Sequence, residues 1–573
     1  MKILLCAVNA KYIHSNLAIY SLRANAKEYK EYIEIAGFTI NNQADFILEE
    51  IYKKRPSVLC ISCYIWNISM VLTVVREFHK LCPQVPIWLG GPEVSYEVEK
   101  FLQAHPEVTG IMMGEGEETF QELCRYYIDK DIKCEKIQGI AYRKEGGFQI
   151  NPWRANTNMS MLAFSYDRMQ DFSNRIIYYE SSRGCPFSCS YCLSSVDKKL
   201  RFRDIALVKE ELQFFIDQKV PQIKFVDRTF NCNHAHAMEI WRYILENDNG
   251  VTNFHFEISA DLLNEEELEL MLKMRPGLIQ LEIGVQSTNE ATIHEIKRTM
   301  KLERLKEVVE RVKSFGNIHQ HLDLIAGLPY EDYDTFAKSF DEIYRLQPNQ
   351  LQMGFLKVLK GSYMYEHAAE YEILYHDNPP YEVLSTKWLS FTDVLKMKRV
   401  EEMLEVYYNS GQFEIAMKVL NCCYESAFDM YQRLGDFYEK EGYFGMSHSR
   451  IKRCEILMDF IKEEVALERV EQSVYECIKE ALVFDLYYRE NCKSRPSWAV
   501  DMRNFKEITH FYCKNGKLSH VEPFHYDFLG EIKEVPQYQE QLVWVWYSYE
   551  KRDPLNHQAL VTYVNPEEDR KDQ

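Results

Sequence analysis

The chain has 573 residues, 46% hydrophobic and 27% charged, with 68 Lys+Arg against 87 Asp+Glu for a net charge of −19. This is the composition of an ordinary globular protein and excludes a disordered, collagen-like or coiled-coil chain. The acidic balance argues against broad electrostatic binding to nucleic acid or an anionic membrane.

The length corresponds to about three or four domains. No apolar run approaches the ~20 residues that span a bilayer. Met1–Ala7 is apolar only briefly and reads as a buried first strand rather than a signal sequence. The expectation is a cytoplasmic protein with no membrane partner. Its 16 cysteines are then thiols or metal ligands rather than a disulfide framework.

Residues 1–150 alternate short apolar strands with periodic helical segments. Strands are expected at Ile3–Val8, Ile33–Ile40, Val58–Cys63, Ile87–Leu89 and Gly110–Met113, with helices such as Asp45–Lys54 and Met70–Cys82 between them. Continuous apolar strands separated by helices imply a doubly wound parallel sheet, with its ligand at the strand carboxyl ends. Asn9, Tyr64, Gly90, Gly91, Gly114 and Glu115 stand at those ends. No GxGxxG follows the first strand and no Walker A motif is present, so a dinucleotide or P-loop reading has no support. The glycines equally suit tight turns.

Residues 151–176 lack periodicity and read as a linker. A second βα series follows over 177–375, with strands at Ile176–Glu180, Gln222–Asp227, Asn253–Ser259, Leu278–Val285, His319–Ala326 and Gln350–Val358. Helices are expected at Ile205–Gln218, Ala235–Glu246, Glu265–Met274 and Glu290–Ser314. Six βα units make a partial (β/α)6 barrel, whose chemistry belongs at the strand C-termini. Residues 376–573 read as an α+β extension: helical over 392–490, then β-rich over 508–563. Met and aromatic stripes in the helical part are core rather than a cofactor box. Asn515-Gly516, between Phe511–Lys514 and Lys517–Val521, signals a hairpin, and Gln541–Tyr549 and Ala559–Val564 are further strands. The tail from Pro566 reads as a frayed end.

The chemistry concentrates in Arg183-Gly184-Cys185-Pro186-Phe187-Ser188-Cys189-Ser190-Tyr191-Cys192. This C-x3-C-x2-C lies just past the first barrel strand. Three thiolates at this spacing hold three irons of a [4Fe–4S] cluster and leave the fourth open to a small molecule. A structural site would close its shell with a fourth ligand. The plainer alternatives are three buried thiols or a zinc knot with a distant fourth ligand.

C-x3-C-x2-C with Tyr191 before the last cysteine resembles the radical S-adenosylmethionine (radical SAM) superfamily. Further elements match in order: Phe225-Val226-Asp227-Arg228-Thr229-Phe230 resembles FxDDxF, with Arg228 where a second Asp is usual. Leu281–Ser287 resembles the ExGxQS element, followed by Ile296-Lys297-Arg298, and Asp323–Pro329 resembles DLIxGLP. By this resemblance Cys185, Cys189 and Cys192 hold the cluster, and the open iron chelates SAM. One electron then cleaves its S–C5′ bond to a 5′-deoxyadenosyl radical. Tyr191, Asp227, Glu257, Glu282, Gln286 and Arg298 are the residues it places around SAM, each of which would otherwise be a structural strand-end hydrogen-bonding group. An external electron donor such as flavodoxin or ferredoxin is implied.

A doubly wound domain before such a barrel resembles the cobalamin-binding class of radical SAM enzymes. The matching elements are Gly90-Gly91-Pro92-Glu93 and Gly114-Glu115-Gly116-Glu117. The DxHxxG motif that ligates cobalt is absent after strand one, where the chain reads Asn9-Ala10-Lys11-Tyr12-Ile13-His14. The resemblance implies cobalamin at the first domain and methyl transfer to an unactivated carbon, or a related rearrangement, on an unnamed substrate. Two alternatives stand beside it. One is a methylthiotransferase with a second cluster on Cys6, Cys60 or Cys63, and Cys82. The other is a non-enzymatic Fe–S electron-transfer or sensor protein.

Overall fold

The computed structural model describes all residues except 168, 494, 514–517, 531 and 570–573. The chain forms two compact units. The first comprises residues 1–282, 293–305 and 356–386, and the second 283–292, 306–355 and 387–573.

The first unit opens with a seven-stranded sheet of β1 (Ile3–Asn9), β2 (Ile33–Thr39), β3 (Val58–Ser62), β4 (Ile87–Gly90), β5 (Gly110–Met112), β6 (Ile140–Lys144) and β7 (Gly147–Ile150), in the order β2-β1-β3-β4-β5-β6-β7. Its first five strands are parallel, with Leu5 beside both Ile35 and Cys60. Every residue of β1 is buried, as expected for a strand covered on both faces. The helix Ile68–Leu81 packs on it through Ile68, Val71, Val74, Val75 and Phe78, a three-and-four spacing. One feature departs from the expected all-parallel sheet: β6 and β7 form an antiparallel hairpin on the β5 edge. Its turn holds Gly146 at φ +81°, a backbone only glycine adopts freely.

The chain continues through β8 (Ile177–Tyr179), the short pair β9 (Ser182–Arg183) and β10 (Arg201–Phe202), then β11 (Gln222–Phe225), β12 (Asn253–Ile258) and β13 (Ile279–Gln286). Strands β8, β11 and β12 lie parallel and in register, Lys224 facing Tyr178 on one side and His255 on the other. The expected single helix Glu290–Ser314 is two helices, Glu290–Glu295 and Leu302–Phe315. The break has a physical cause: Lys297 turns to φ +55°, and the Lys301 amide donates to Asp261 instead of continuing the helix.

In the second unit β14 (His319–Ala326) and β15 (Gln350–Phe355) pair in parallel. With β13 to β8 they complete a six-stranded sheet in chain order, the partial barrel expected. The small antiparallel pair β16 (Leu374–Tyr375) and β17 (Val383–Ser385) belongs to the first unit. Helices from Phe391 to Arg489 bury Met397, Met403, Tyr407, Met430 and Tyr431, so the Met and aromatic stripes are core. The β-rich end is a three-stranded antiparallel sheet of β18 (Ser519–Phe524), β19 (Val543–Arg552) and β20 (Ala559–Val564). Phe511 and Tyr512 end a helix, Lys506–Tyr512, rather than starting a strand, and β18 pairs with β19. The Asn515-Gly516 turn and the last four residues of the tail lie outside the described residues.

Candidate functional site

The cysteine loop follows β9, and its entry is fixed by Gly184. At φ +88°, a Cβ there would stand 2.6 Å from the Lys199 carbonyl oxygen. Bare backbone lets the loop close on residues 197–199, and the Cys185 amide donates to the Asp197 carbonyl at 3.0 Å. Ser190 ties the far side: its amide donates to Ile296 O (2.9 Å), and its carbonyl accepts from Met364 N (2.9 Å). All three cysteines are free thiols. Cys185 is buried, 3.9 Å from Thr229 Oγ1, while Cys189 and Cys192 are partly exposed. Burial pushes the Cys185 thiol up, and the neighbouring Cys192 and Cys189 add to this. Three thiols stand on one loop, and this donor set fits an Fe–S cluster with one open iron.

Arg298 stands at this loop, its Nη1 3.2 Å from Tyr191 Oη and 3.9 Å from Cys189 Sγ. The segment that breaks the helix at Lys297 therefore delivers a guanidinium to the cysteines. Asp227 is fully enclosed. Its oxygens accept from the Ser181 amide (3.0 Å) and from the hydroxyls of Ser181 and Ser182 (both 2.6 Å), which makes it a clasp beneath β9. On the barrel wall Glu282 lies 2.7 Å from Lys224 Nζ and 2.9 Å from His255 Nε2, and Glu257 lies 4.0 Å from Lys224. Burial alone would raise Glu282, but His255 and Lys224 outweigh it and hold the carboxyl far below its usual range. Gln286 ends β13 at φ +75° with its Oε1 buried.

At the strand ends of the first sheet, Asn9 is buried at the close of β1. Tyr64 stacks on the exposed Trp66 at 4.4 Å, and burial raises its hydroxyl to about 12. Gly91 sits at φ +118°, where a Cβ would meet the Cys63 carbonyl at 2.4 Å, and Gly90 lies beside Met112. At Gly114 a Cβ would reach the Trp153 ring at 3.0 Å. At this end of the sheet, where ligands of such folds sit, the glycines let the loops pack closely on their neighbours.

Glu115 has other partners. It accepts from Arg201 (2.6 Å) and from the Thr157 amide (2.8 Å), and lies 3.5 Å from Arg183. Glu117 pairs with Arg183 at 2.5 Å, and Arg183 also reaches Glu180 at 2.9 Å. Burial would raise Glu117, but Arg183 holds it below its usual range. At Glu180 burial dominates and pushes the carboxyl up to about 7. Glu115, expected at the cofactor, has its carboxylate on the two arginines that flank the cysteine loop. Sequence reading missed Arg183 and Arg201 because no motif spacing links them to residues 115–117.

His14 is likewise engaged. Its Nδ1 is hydrogen-bonded to the Tyr178 hydroxyl at 2.7 Å, the Ile176 amide donates to Ile13 O, and the Ser15 hydroxyl donates to Ile176 O. The loop that carries an axial histidine in DxHxxG proteins is here fastened to the first barrel strand. Of the alternative cluster cysteines, Cys6 and Cys60 are sealed inside β1 and β3, where burial pushes both thiols up to about 12.

Comparison with known proteins agrees with this anatomy. Residues 3–124 match the B12 binding domain, 179–343 the radical SAM superfamily, and 369–540 a protein family of unknown function, DUF4080. The chain thus joins a region like the B12 binding domain, a radical SAM region and a C-terminal DUF4080 region. The cofactors of these domains are a [4Fe–4S] cluster, SAM and cobalamin.

Among its relatives, a 2-(S-pantetheinyl)-carbapenam-3-carboxylate methyltransferase of Streptantibioticus cattleyicolor is 26% identical over 302 residues, 49% of this chain and 44% of that protein. The cobalamin-dependent radical SAM methyltransferase TokK of Streptomyces tokunonensis is 25% identical over 339 residues, 55% of this chain and 47% of that one. The alignments thus span less than half the length of each relative. The cobalamin-dependent SAM radical enzyme OxsB, solved with aqua-cobalamin and SAM, shares the fold at a TM-score of 0.58 and 16% identity, over 84% of this chain and 78% of that one. Among the described residues no helix is long and apolar enough to cross a membrane.

Proposed function

We propose that this enzyme transfers a methyl group to an unactivated carbon, or catalyses a related radical rearrangement, with cobalamin and SAM as cofactors. The observation that carries this reading is the ion-pair set joining the β5 end loop to the cysteine loop, through Glu115–Arg201 and Glu117–Arg183. It fastens the B12-type strand ends to the cluster loop, as a reaction using both cofactors needs. The bound cluster supplies the electron that cleaves SAM, and cobalamin carries the methyl group.

The chain's own residues have separable tasks. Cys185, Cys189 and Cys192 hold the cluster. Arg298, beside Tyr191, presents a guanidinium suited to a carboxylate such as that of SAM. Glu257 and Glu282, with Lys224 and His255, form a polar wall able to hold hydroxyl and amino groups. Asn9, Tyr64, Gly90, Gly91 and Gly114 line the corrin side, and Glu115 supports it from behind. With the His14 loop fastened to the first barrel strand, cobalamin binds without a histidine ligand from this loop. A reduced flavodoxin or ferredoxin is the electron-donating partner, and the setting is the cytoplasm. The domain limits that follow are 1–150 for the B12-binding domain, 177–375 for the barrel and 376–573 for the extension.

The test is anaerobic turnover of the reconstituted enzyme with SAM, methylcobalamin and a strong reductant. Formation of 5′-deoxyadenosine and S-adenosylhomocysteine together supports methyl transfer. 5′-Deoxyadenosine alone points to the rearrangement, and neither product overturns the reading.

A further inference from the structure

The turn that ends β11 is pinned to the cysteine loop on both sides of Arg228. Before it, Asp227 accepts from the hydroxyls of Ser181 and Ser182. After it, Thr229 Oγ1 lies 3.9 Å from Cys185 Sγ. Arg228 itself is exposed. Its backbone is therefore fixed within one residue of a cluster cysteine's neighbour, while its side chain stands open to whatever enters there.

The other arginines around this loop each have a partner. Arg183 pairs with Glu117 and Glu180, Arg201 with Glu115, and Arg203 with Glu211, and Arg298 donates to Tyr191. The Arg228 side chain has no hydrogen bond, ion pair or ring contact among the described residues. The acids nearby are already taken: Asp227 by the two serines, Glu180 by Arg183 at 2.9 Å, and Glu282 by Lys224 at 2.7 Å, with Glu257 4.0 Å from the same amine. The charge of Arg228 also reaches the end of β3. Burial raises the Tyr64 hydroxyl to about 12, Cys63 and Glu180 add to the rise, and Asn16 and Arg228 oppose it. On the loop after β1, the exposed Lys11 is a second cation whose side chain has no partner among the described residues.

A guanidinium held from a fixed base presents its fork of donors ready-made, and that fork matches a carboxylate or phosphate. We propose that Arg228 is the anchor for an anionic group of the substrate, a carboxylate or a phosphate, which it holds beside the cysteine loop. This gives a substrate class to the reaction proposed above and rests on that reading, with the SAM carboxylate left to Arg298.

The experiment is labelling of the anaerobically reconstituted full chain with p-hydroxyphenylglyoxal, which modifies accessible guanidinium groups. Each arginine is followed by peptide mass spectrometry, at constant ionic strength and without reductant. Arg228 is expected to react about tenfold faster than Arg183, Arg201 and Arg298, and to stay reactive with SAM and hydroxocobalamin bound. Inorganic phosphate or succinate should then slow it saturably by about fivefold, and uncharged trimethyl phosphate should not. Whichever of the two anions protects at the lower concentration identifies the group as phosphate or carboxylate. Reaction as slow as that of the paired arginines overturns the proposal, as does slowing by trimethyl phosphate or no slowing by either anion. Protection by SAM alone or by hydroxocobalamin alone assigns Arg228 to that cofactor and equally overturns it. The readout needs no turnover, so its failure is distinct from a failure to form 5′-deoxyadenosine.

Discussion

Arg201 Nη2 lies 2.6 Å from Glu115 Oε1, joining the strand that follows the cysteine loop to the loop that ends β5. Arg183, on the other flank of the cysteines, pairs with Glu117 and Glu180. The cysteine loop is thus held at both ends by residues that follow β5.

Removing Arg183 leaves Glu117 and Glu180 buried without their cation. Arg183→Met is expected to cost about 3–5 kcal/mol of stability, read from denaturant unfolding of the apo protein. Adding Glu117→Gln and Glu180→Gln should return much of it. Full stability in the single variant would show that the network holds nothing.

Gly184→Ala places a Cβ 2.6 Å from the Lys199 carbonyl and forces an alanine to φ +88°. The loop then cannot close at Cys185, and reconstituted iron should fall to a small fraction of the unaltered enzyme's. Iron analysis after anaerobic desalting measures this, and a full complement of iron would contradict it.

His14 stands on a loop tied to the first barrel strand through Ile176 N and Ile13 O, and its Nδ1 is bonded to Tyr178. The electron paramagnetic resonance spectrum of bound cob(II)alamin should therefore lack nitrogen splitting from an axial histidine, and His14→Ala should leave it unchanged. Nitrogen splitting that vanishes in His14→Ala would show that the loop opens to release the histidine.

These contacts also mark what the sequence could reveal. Strands β1 to β5 and the cysteine loop were legible because their signals are local: apolar runs, glycine turns and fixed cysteine spacing. The arginine–glutamate pairs join residues far apart in sequence, so only folding reveals them. The β6–β7 hairpin was missed although Glu145-Gly146 offers a two-residue turn, because β7 is short and half polar. The helix break has no proline or glycine: the chain turns to φ +55° at Lys297, and Asp261 takes the Lys301 amide just before the second helix begins. Phe511 and Tyr512 read as strand from their aromatic character, yet packing takes them into a helix.

In the C-terminal helices Asp485 is buried, and its carboxylate accepts from the amides of Ile415 (3.0 Å) and Ala416 (2.9 Å). Burial outweighs those bonds and pushes it up to about 7 from 3.8. Folding then favours the protonated form, so its contribution is most favourable below about 3.8 and declines as pH rises to about 7. Asp485→Asn should gain stability relative to the unaltered protein across that window, seen in denaturation midpoints against pH. A constant difference between the two would contradict it.

The central claim is that one chain holds both a three-cysteine cluster and cobalamin. It is tested most directly by anaerobic reconstitution with iron, sulfide and hydroxocobalamin, followed by a UV–visible spectrum of the desalted protein. The account predicts a sulfide-to-iron charge-transfer shoulder that is lost in the triple Cys185/Cys189/Cys192→Ala variant, together with corrin bands that remain in it. A cluster with no retained corrin would contradict the role given to the first domain, and corrin with no cysteine-dependent shoulder would contradict the role given to the loop.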